Sequence, residues 1–455
     1  MKIILLSGGS GKRLWPLSNQ TRAKQFLRLL NGKKKMESML ERIWGQLKTV
    51  NLADSVYIAS TSSQVDLIQN QLGTEAPLII EPMQRDTFAA ITSAIVYLSS
   101  VEGISQDEVI CIIPVDPYVE LDFFEKIKEL EEIIEQGSDI DMALIGIHPT
   151  YPSEKYGYIV PKLSPTNRFH PVSRFVEKPQ THEAEKLVKQ NAWWNAGVFA
   201  FRLKFMIQFL AQKGIPIQYD DLIAHYNQLP RNSFDYEVIE KLERLVVLPY
   251  QGSWKDLGTW NTLTEEMGTT VIGEGMIQEN SKNTFLINEL DIPIISAGLS
   301  NTVIAASPDG ILVCELSSSP KIKEMVEKIK QRPMYEEKRW GTYRILDFHA
   351  QQDHMLVLTK LIQVTPGKNL SYQVHNKRSE IWTIIKGTGE FILDGKISLV
   401  KQGDVVKIPI GAKHGIKAIT ELEFIEVQMG SELVEEDILR IAMAWEEIRN
   451  EHANQ

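Results

Sequence analysis

Short apolar runs alternate with amphipathic stretches through the first 150 residues of the chain. The runs read KIILLS, SVYIAS, PLIIEP, EVICIIPV and DMALIGI, and such short continuous runs are typical of strands buried on both faces of a sheet. Between the last two, residues 121–137 have the period of a helix that stops at Gly137. The apolar stripe of that helix consists of Phe123, Ile127, Leu130 and Ile134. The alternation predicts an α/β domain with a mainly parallel sheet, extending to about residue 265.

The pattern changes in the second half of the chain. Residues 283–320 consist of strand-like runs separated by Asn, Gly, Asp and Pro, which predicts a β connector with a few turns of β-solenoid. A helical pattern, KIKEMVEKIKQ, follows it. Residues 340–430 contain closely spaced strands with Gly and Asp turns, which favours an antiparallel barrel or jelly roll, and EEDILRIAMAWEEIRNE then has the pattern of an amphipathic helix. We therefore predict domains at 1–265, 266–335 and 336–455.

Composition and charge exclude several classes of function. The chain has 455 residues and a net charge of −10, which argues against a nucleic-acid partner. Its longest apolar runs are far below the ~18 residues that span a membrane, and Met1–Leu6 is too short for the apolar part of a secretory signal. Cys111 and Cys314 lie in apolar runs without CxxC spacing, which indicates buried reduced thiols. We expect a cytoplasmic protein without a membrane partner.

A glycine-rich turn, SGGSGKRLWPLS at Ser7–Ser18, directly follows the first apolar run. A dinucleotide-binding fingerprint would need a third glycine where the chain has Leu14, so an NAD-dependent oxidoreductase is poorly supported. A P-loop is excluded by Leu6 and by Arg13, which stands where Ser or Thr should follow the lysine. What remains is either a structural tight turn or a cradle of backbone N–H groups for a polyphosphate, with Arg13 and Lys24 supplying charge.

Together with AKQFL, which follows it, this turn resembles the signature of the sugar-nucleotide pyrophosphorylases, and LWPLS resembles their mannose-1-phosphate guanylyltransferase branch. The resemblance continues in seven ordered blocks: EPMQRDTFAAI (81–91), IPVDPYV (113–119), GIHPTYPSEKYGYI (146–159), RFVEKP (174–179), WWNAGVF (193–199), SFDYEVIE (233–240) and SWKDLGTW (253–260). It implies a Rossmann-like nucleotidyltransferase domain that joins GTP to mannose 1-phosphate and releases pyrophosphate.

The resemblance also assigns the charged groups of the reaction. It places Asp116 and Asp256 as the metal-binding aspartates, and Mg²⁺ suits a site of few carboxylates and phosphate oxygens. Arg13 and Lys24 would neutralise the triphosphate, while Lys178 would meet the sugar phosphate. Asp116 alone is equally well explained as a turn residue, and Lys178 as a surface lysine.

Uncharged and base-binding contacts follow from the same blocks. Glu177 and Asn195 would hydrogen-bond the sugar hydroxyls, and Gly157 would let the backbone approach the sugar. Arg85 lies where the family lines the base pocket, although Asp86 beside it also fits a helix start. The glycines of the turn that would approach the phosphates are Gly8, Gly9 and Gly11.

The chain departs from the family pattern at three places near these residues. Ala23 replaces the usual proline before Lys24, Asp86 replaces the usual asparagine before Thr87, and the wording around Asp116 is altered to VDPYV. None of these changes removes a charge that the mechanism needs. They leave the choice of base less determined than the type of reaction, so a related nucleotidyltransferase for another sugar 1-phosphate stays open.

A second constellation lies in the C-terminal domain. Gln373, His375 and Glu380 come from one predicted hairpin, and His414 comes from another strand after a Pro-x-Gly turn. On a small barrel these groups can converge on one divalent metal, and imidazole ligands suit Zn²⁺. The spacing matches the two motifs of the cupin β-barrel.

Within the cupins, RWGTY (339–343) followed by QVHNKRSEIW resembles the type II phosphomannose isomerase domain, which interconverts mannose 6-phosphate and fructose 6-phosphate. Here the departures are larger: the histidine run is thinned to HNKR, Ile381 stands where a histidine is usual, and the chain ending differs. Arg378 is a candidate phosphate or substrate contact. The alternative is a non-catalytic cupin that binds sugar phosphate or dimerises, and a homo-oligomer stays open.

Overall fold

The computed structural model describes residues 1–9, 12–32, 35–137, 139–163, 167–350, 355–434 and 437–452. The chain forms two compact units. The first consists of Met1–Thr270 with Glu315–Lys323, and the second consists of Val271–Cys314 with the chain from Glu324 onward. Each unit is described separately below.

The first unit contains thirteen strands among its described residues: β1 Lys2–Leu6, β2 Leu30–Asn31, β3 Met36–Glu37, β4 Val56–Thr61, β5 Leu78–Glu81, β6 Val109–Pro114, β7 Pro117–Val119, β8 Met142–Ile147, β9 Tyr158–Pro161, β10 His170–Val176, β11 Trp193–Arg202, β12 Leu245–Tyr250 and β13 Trp254–Asp256. Its α-helices are α1 Met39–Thr49, α2 Val65–Leu72, α3 Asp86–Ser100, α4 Asp122–Gln136, α5 Thr181–Lys189, α6 Leu203–Gln212, α7 Tyr219–Ala224, α8 Phe234–Glu237 and α9 Trp260–Leu263.

Nine of these strands form one mixed sheet in the order β5-β4-β1-β6-β11-β8-β12-β10-β9. All five apolar runs predicted as strands are strands of this sheet, and β5, β4, β1 and β6 run parallel. Strand β11 runs antiparallel to both β6 and β8. Since parallel strands end at the same edge, the glycine turn after β1 and the ends of β5 and β6 lie along one edge of the sheet.

The helix predicted over residues 121–137 is confirmed as α4, which ends before Gly137. Its buried side chains include Phe123, Ile127, Leu130 and Ile134, and they pack on one face of the sheet. On the other face, α3 buries its apolar residues against the same strands. Helices on both faces explain why the strands are continuously apolar.

The second unit has seventeen strands among its described residues: β14 Val271–Ile272, β15 Gly275–Ile277, β16 Lys282–Asn288, β17 Ile294–Ser296, β18 Ser300–Ser307, β19 Gly310–Glu315, β20 Tyr335–Lys338, β21 Gly341–Ala350, β22 Leu356–Val364, β23 Tyr372–Val374, β24 Arg378–Lys386, β25 Thr388–Leu393, β26 Lys396–Lys401, β27 Val405–Ile408, β28 His414–Ala418, β29 Leu422–Gly430 and β30 Leu439–Ala442. Helix α10 is Ile322–Val326 and helix α11 is Trp445–His452.

The connector strands stack in parallel, as a β-solenoid requires. Strand β16 pairs in register with β14 and β18, and β15 pairs with β17. The remaining strands form two antiparallel sheets, ordered β20-β21-β22-β29-β24-β27 and β26-β25-β28-β23-β30. The core between these sheets includes the fully buried Trp382 and Phe424. This arrangement confirms the C-terminal β-barrel.

Two helical predictions in this region need correction. In EEDILRIAMAWEEIRNE, Leu439–Ala442 form strand β30, and the helix begins only at Trp445. The strand forms because β23 offers it a partner, and this long-range pairing overrides the local helical period. In KIKEMVEKIKQ, only Ile322–Val326 are α-helical.

Both cysteines are free thiols, as predicted. Cys111 is buried, and burial raises the pKa of its thiol. Cys314 is only half-buried, because β19 turns alternate residues outward. In the described part of the chain, every helix is too short or too polar to cross a bilayer.

Candidate functional site

The glycine turn leaves the sheet at the end of β1 and leads to the first charged residues. Ser7 extends the strand by donating from its N–H to the carbonyl of Ala59 (2.9 Å). Gly9 has a φ of +140°, with open space where a Cβ would stand, so the backbone is accessible to a ligand. Arg13 follows, with its side chain exposed. Gly11 lies outside the described residues.

Two aspartates from distant parts of the chain meet Lys24. Asp116 follows strand β6, and Asp256 ends β13, which pairs with β7 directly after Asp116. The Nζ atom of Lys24 lies 2.8 Å from Oδ2 of Asp116 and 3.6 Å from Oδ1 of Asp256. The pairing of β7 with β13 therefore brings both predicted metal ligands to one cation.

The electrostatics of this triad favour the fully charged state. Burial by itself lowers the pKa of Lys24, but the carboxylates of Asp116 and Asp256 outweigh it and raise that pKa. Burial also raises the pKa of Asp116, but Lys24 outweighs it, and the pKa falls below its usual range. One ammonium group already bridges two carboxylate oxygens, so the residues fit a divalent cation held at the same place.

A cavity of about 180 Å³ opens beside these aspartates. It is lined by Asp116 and Asp256 on one side and by the predicted sugar-binding residues on the other; those residues are Gly157, Glu177, Lys178 and Asn195. The structure thus brings together the metal-binding candidates and the sugar-binding candidates in a single cavity.

The backbone at Gly157 explains why no side chain is present there. A Cβ at this position would lie 2.5 Å from Oε2 of Glu177 and 2.7 Å from Cζ of Phe175. The carboxylate of Glu177 is buried and accepts a hydrogen bond from Nζ of Lys178 at 2.5 Å. The Gly157 carbonyl accepts from the N–H of Asn195 at 2.8 Å. Gly157 therefore allows Glu177 and Asn195 to face the same space.

Asp235 is a residue of this cavity that the sequence analysis did not single out. Its Oδ1 accepts a hydrogen bond from Nδ2 of Asn195 at 2.7 Å, and it lines the cavity wall. Burial, followed by the neighbouring charge of Glu177, raises the pKa of Asp235 to about 7. The block SFDYEVIE contained it, but a single Asp after a helix start is most simply explained as a cap.

Aromatic side chains complete the same wall. Tyr156 and Trp254 line the cavity, and their ring centroids lie 5.5 Å apart in an edge-to-face arrangement. Such faces suit the C–H surfaces of a sugar ring. Arg85, by contrast, is absent from the residues that line this cavity, and its Nε donates to the carbonyl of Leu229 at 2.8 Å.

In the barrel, the predicted metal-binding residues lie together. Gln373 on β23 pairs with His414 on β28, while Glu380 lies on β24 and His375 just follows β23. One ligand atom each from His375, Glu380 and His414 fall within 4.8 Å of one another, and all three residues are buried. Gln373 lies beside them but turns its Nε2 toward Nε2 of His375 (3.3 Å).

Each histidine is oriented by its second ring nitrogen. Nδ1 of His375 lies 3.2 Å from the carbonyl of Asp437, and Nδ1 of His414 lies 3.1 Å from the carbonyl of Ala412. Both Nε2 atoms therefore face Glu380, at 3.2 Å for His375 and 3.4 Å for His414. Carbonyl partners of this kind commonly fix metal-binding imidazoles.

The donor set fits a metal ion on two further grounds. Nε2 of His414 is buried and makes no hydrogen bond to any described residue, which is costly unless a ligand satisfies it. Burial lowers the pKa of His375 to about 4, so its imidazole is neutral and able to coordinate at pH 7. The pKa of Glu380 is held below its usual range because the His414 contact outweighs burial.

A second cavity, of about 220 Å³, lies next to this cluster. Arg378 and Gln428 belong to its lining and also donate hydrogen bonds to Oε1 of Glu380, at 3.0 and 3.2 Å. Arg332 and Lys360 add two more cationic side chains to the same lining. Three cations beside a candidate metal cluster suit an anionic ligand.

Comparison with known proteins agrees with this division. Residues 2–271 match the family model of nucleotidyl transferases, and residues 326–443 match the model of the mannose-6-phosphate isomerase C-terminal domain. The chain is 31% identical over 479 residues to a mannose-1-phosphate guanylyltransferase of Klebsiella pneumoniae, covering 96% of this chain and 98% of that protein. It is 32% identical over 475 residues to the xanthan biosynthesis protein XanB of Xanthomonas campestris pv. campestris (strain B100), covering 96% and 97%.

Among solved structures, a crystal structure described as mannose-1-phosphate geranyltransferase from Thermus thermophilus aligns with a TM-score of 0.61 and 27% identity. The alignment covers 72% of this chain and 99% of that one.

Proposed function

This chain belongs to the nucleotidyl transferase family, and from that premise we propose that it joins GTP and mannose 1-phosphate to give GDP-mannose and pyrophosphate. The observation that carries the proposal is the single cavity that joins Asp116 and Asp256 to the sugar-binding candidates, with Lys24 at its metal-binding end. The Klebsiella pneumoniae relative, which the chain matches over nearly its full length, bears the name of this activity.

In this mechanism an oxygen of the sugar phosphate attacks the α-phosphorus of GTP in line, and the bond to the β-phosphate oxygen breaks. Arg13 and Lys24 neutralise the triphosphate as pyrophosphate leaves. Lys178 binds the phosphate of the sugar. Asp116 and Asp256 hold Mg²⁺, which supplies further positive charge to the phosphates.

Glu177 and Asn195 orient the sugar in this proposal. Glu177 accepts hydrogen bonds from hydroxyl groups, and Asn195, fixed by Asp235, presents its amide to the same ring. Orientation of this kind contributes most when the reacting atoms are held close together. Gly8, Gly9 and Gly11 would offer backbone N–H groups to the phosphates.

The test is a screen of nucleoside triphosphates against hexose 1-phosphates in which pyrophosphate release is measured. We expect GTP with mannose 1-phosphate to be the preferred pair, and Asp256→Ala to abolish turnover. Asp54→Ala, at an exposed aspartate, serves as the matched control. A different preferred pair would refute the specificity, and full activity of Asp256→Ala would refute the site.

For the barrel we propose a second activity, the interconversion of mannose 6-phosphate and fructose 6-phosphate. The observation that favours it is the cationic cavity beside His375, Glu380 and His414. Arg332, Lys360 and Arg378 would bind the phosphate group. A divalent metal such as Zn²⁺, held by the cluster, supplies polarisation of the sugar carbonyl.

This second activity has its own test. The metal-loaded protein is given mannose 6-phosphate, and fructose 6-phosphate is measured, with the exposed Lys368→Ala as control for the cationic variants. A saturable effect of mannose 6-phosphate on the transferase without turnover would instead establish a sugar-phosphate-binding module. We further propose that residues 1–265 carry the transferase and 336–455 the isomerase, linked by 266–335, and that both act in the cytoplasm, where their substrates are made.

A further inference from the structure

A buried carboxylate lies beside the glycine turn, outside the cavity described above. Glu81 is the last residue of β5 and is only 3% exposed. Its Oε1 lies 3.6 Å from the position that a Cβ on Gly8 would occupy. The carboxylate therefore stands at the same sheet edge as the glycine turn, on the far side of β1 from Asp116.

Only half of this carboxylate is satisfied. Oη of Tyr226 donates a hydrogen bond to Oε2 at 2.6 Å. No described residue donates to Oε1, the oxygen that faces Gly8. A buried carboxylate oxygen without a donor is costly, and burial raises the pKa of Glu81 to about 7. The arrangement suits a ligand that brings its own donors.

The space next to Glu81 is shaped for a flat group. Gly8 has no side chain, and an added Cβ on Gly9 would meet nothing within 4 Å. Nε2 of Gln64 donates to the carbonyl of Gly9 at 3.2 Å and holds the turn in place. The side chain of Arg85 is held by the carbonyl of Leu229. Glu81 is thus the group at this end of the turn that can accept hydrogen bonds from a base.

Among the nucleobases, guanine has the matching edge. Its N1–H and exocyclic N2–H₂ are neighbouring donors that one carboxylate can accept together, through charge-assisted hydrogen bonds. Adenine presents an unprotonated N1 at the corresponding place, which would face the carboxylate with a second acceptor. We propose that Glu81 determines the preference for guanine, with Tyr226 as its positioning residue. This inference rests on the proposed nucleotidyl transfer and names the contact that selects the nucleotide.

The experiment compares GTP with inosine triphosphate, which keeps N1–H and the carbonyl but lacks the N2 amino group. The wild-type protein should bind and use GTP roughly 10- to 100-fold better, the range expected for one hydrogen bond to a charged acceptor. Glu81→Gln should lower kcat/KM for GTP and reduce this preference at least tenfold, while inosine triphosphate is affected much less. Glu75→Gln, at an exposed glutamate before β5, is the matched control and should change neither value.

Three results would overturn the inference. The first is equal affinity of the wild-type protein for both nucleotides, which needs no variant and so holds even if Glu81→Gln fails to fold. The second is an equal loss for both nucleotides in Glu81→Gln, which would make Glu81 a support of the glycine turn. The third is a full preference for GTP in that variant.

Binding is measured by calorimetry as well as turnover, so the two proposals are separable. Selective GTP binding that depends on Glu81, without transfer to any sugar phosphate, would refute the proposed function and support the inference. Tyr226→Phe removes the donor to Oε2. It should weaken the preference for GTP over inosine triphosphate less than Glu81→Gln does.

Discussion

Replacing Lys24 with methionine should increase the affinity of the nucleotide-free protein for divalent metal. In the structure the Lys24 ammonium lies within 2.8 Å of Asp116 and 3.6 Å of Asp256, where a metal bridging both carboxylates would be. Metal that binds before the nucleotide must therefore displace this ammonium. Methionine keeps most of the apolar stem and removes the charge.

The size of the effect follows from the geometry. A charge pair at this separation is worth at most ~4 kcal/mol near a protein surface, but the side chains of Asp116 and Asp256 are 36% and 27% exposed. Solvent screening reduces each pair to the ~0.5–1 kcal/mol of an exposed ion pair. The two pairs together give ~1–2 kcal/mol, or roughly a tenfold increase in metal affinity.

The assay is titration of the nucleotide-free protein with Mn²⁺, followed by electron paramagnetic resonance of the free ion. Lys48→Met, which removes an exposed lysine on α1, controls for the change in net charge. The same Lys24→Met protein should lose about 100-fold in kcat/KM for the nucleotide, because a group that neutralises phosphate charge is gone. Unchanged or weaker Mn²⁺ binding by Lys24→Met would show that the lysine does not compete with metal, and the reasoning would fail.

Three further predictions concern separate residues. Asn195→Ala should raise KM for mannose 1-phosphate about tenfold with a smaller change in kcat, measured by steady-state kinetics, because it removes one neutral contact to the sugar; a loss confined to kcat would contradict this. Burial raises the pKa of Glu81 to about 7, so the native state retains a proton that the unfolded state releases above its lower pKa, and stability falls as pH rises toward 7. Glu81→Gln should therefore stabilise the protein by about 2–3 kcal/mol at pH 8 but hardly at pH 4.5, as denaturant unfolding at both pH values would show; an equal effect at both would contradict it. His414→Ala should remove the bound metal from the barrel in elemental analysis without changing pyrophosphate release, and retention of the metal would exclude the cluster.

The sequence by itself determined the local elements and the chemistry at their ends. The five apolar runs became strands because continuous apolar side chains suit a sheet covered on both faces. Helix α4 formed where its stripe and Gly137 predicted it. The motif blocks also identified Asp116, Asp256 and Lys178 as candidates, since their residue types and order resemble those of a known family.

Only the tertiary structure decided which of these groups meet. Asp116 and Asp256 share Lys24 because β7 pairs with β13, and no local pattern encodes that pairing. Asp235 looked like a helix-start residue until the fold placed it against Asn195. Glu81 ended an ordinary apolar run, and its role depends on burial, on Tyr226 and on the neighbouring glycine turn. Strand β30 likewise replaced a helical period because β23 supplied its partner. Periodicity and residue type act over a few neighbours, whereas hydrogen-bond partners, burial and pKa depend on residues far away in the chain.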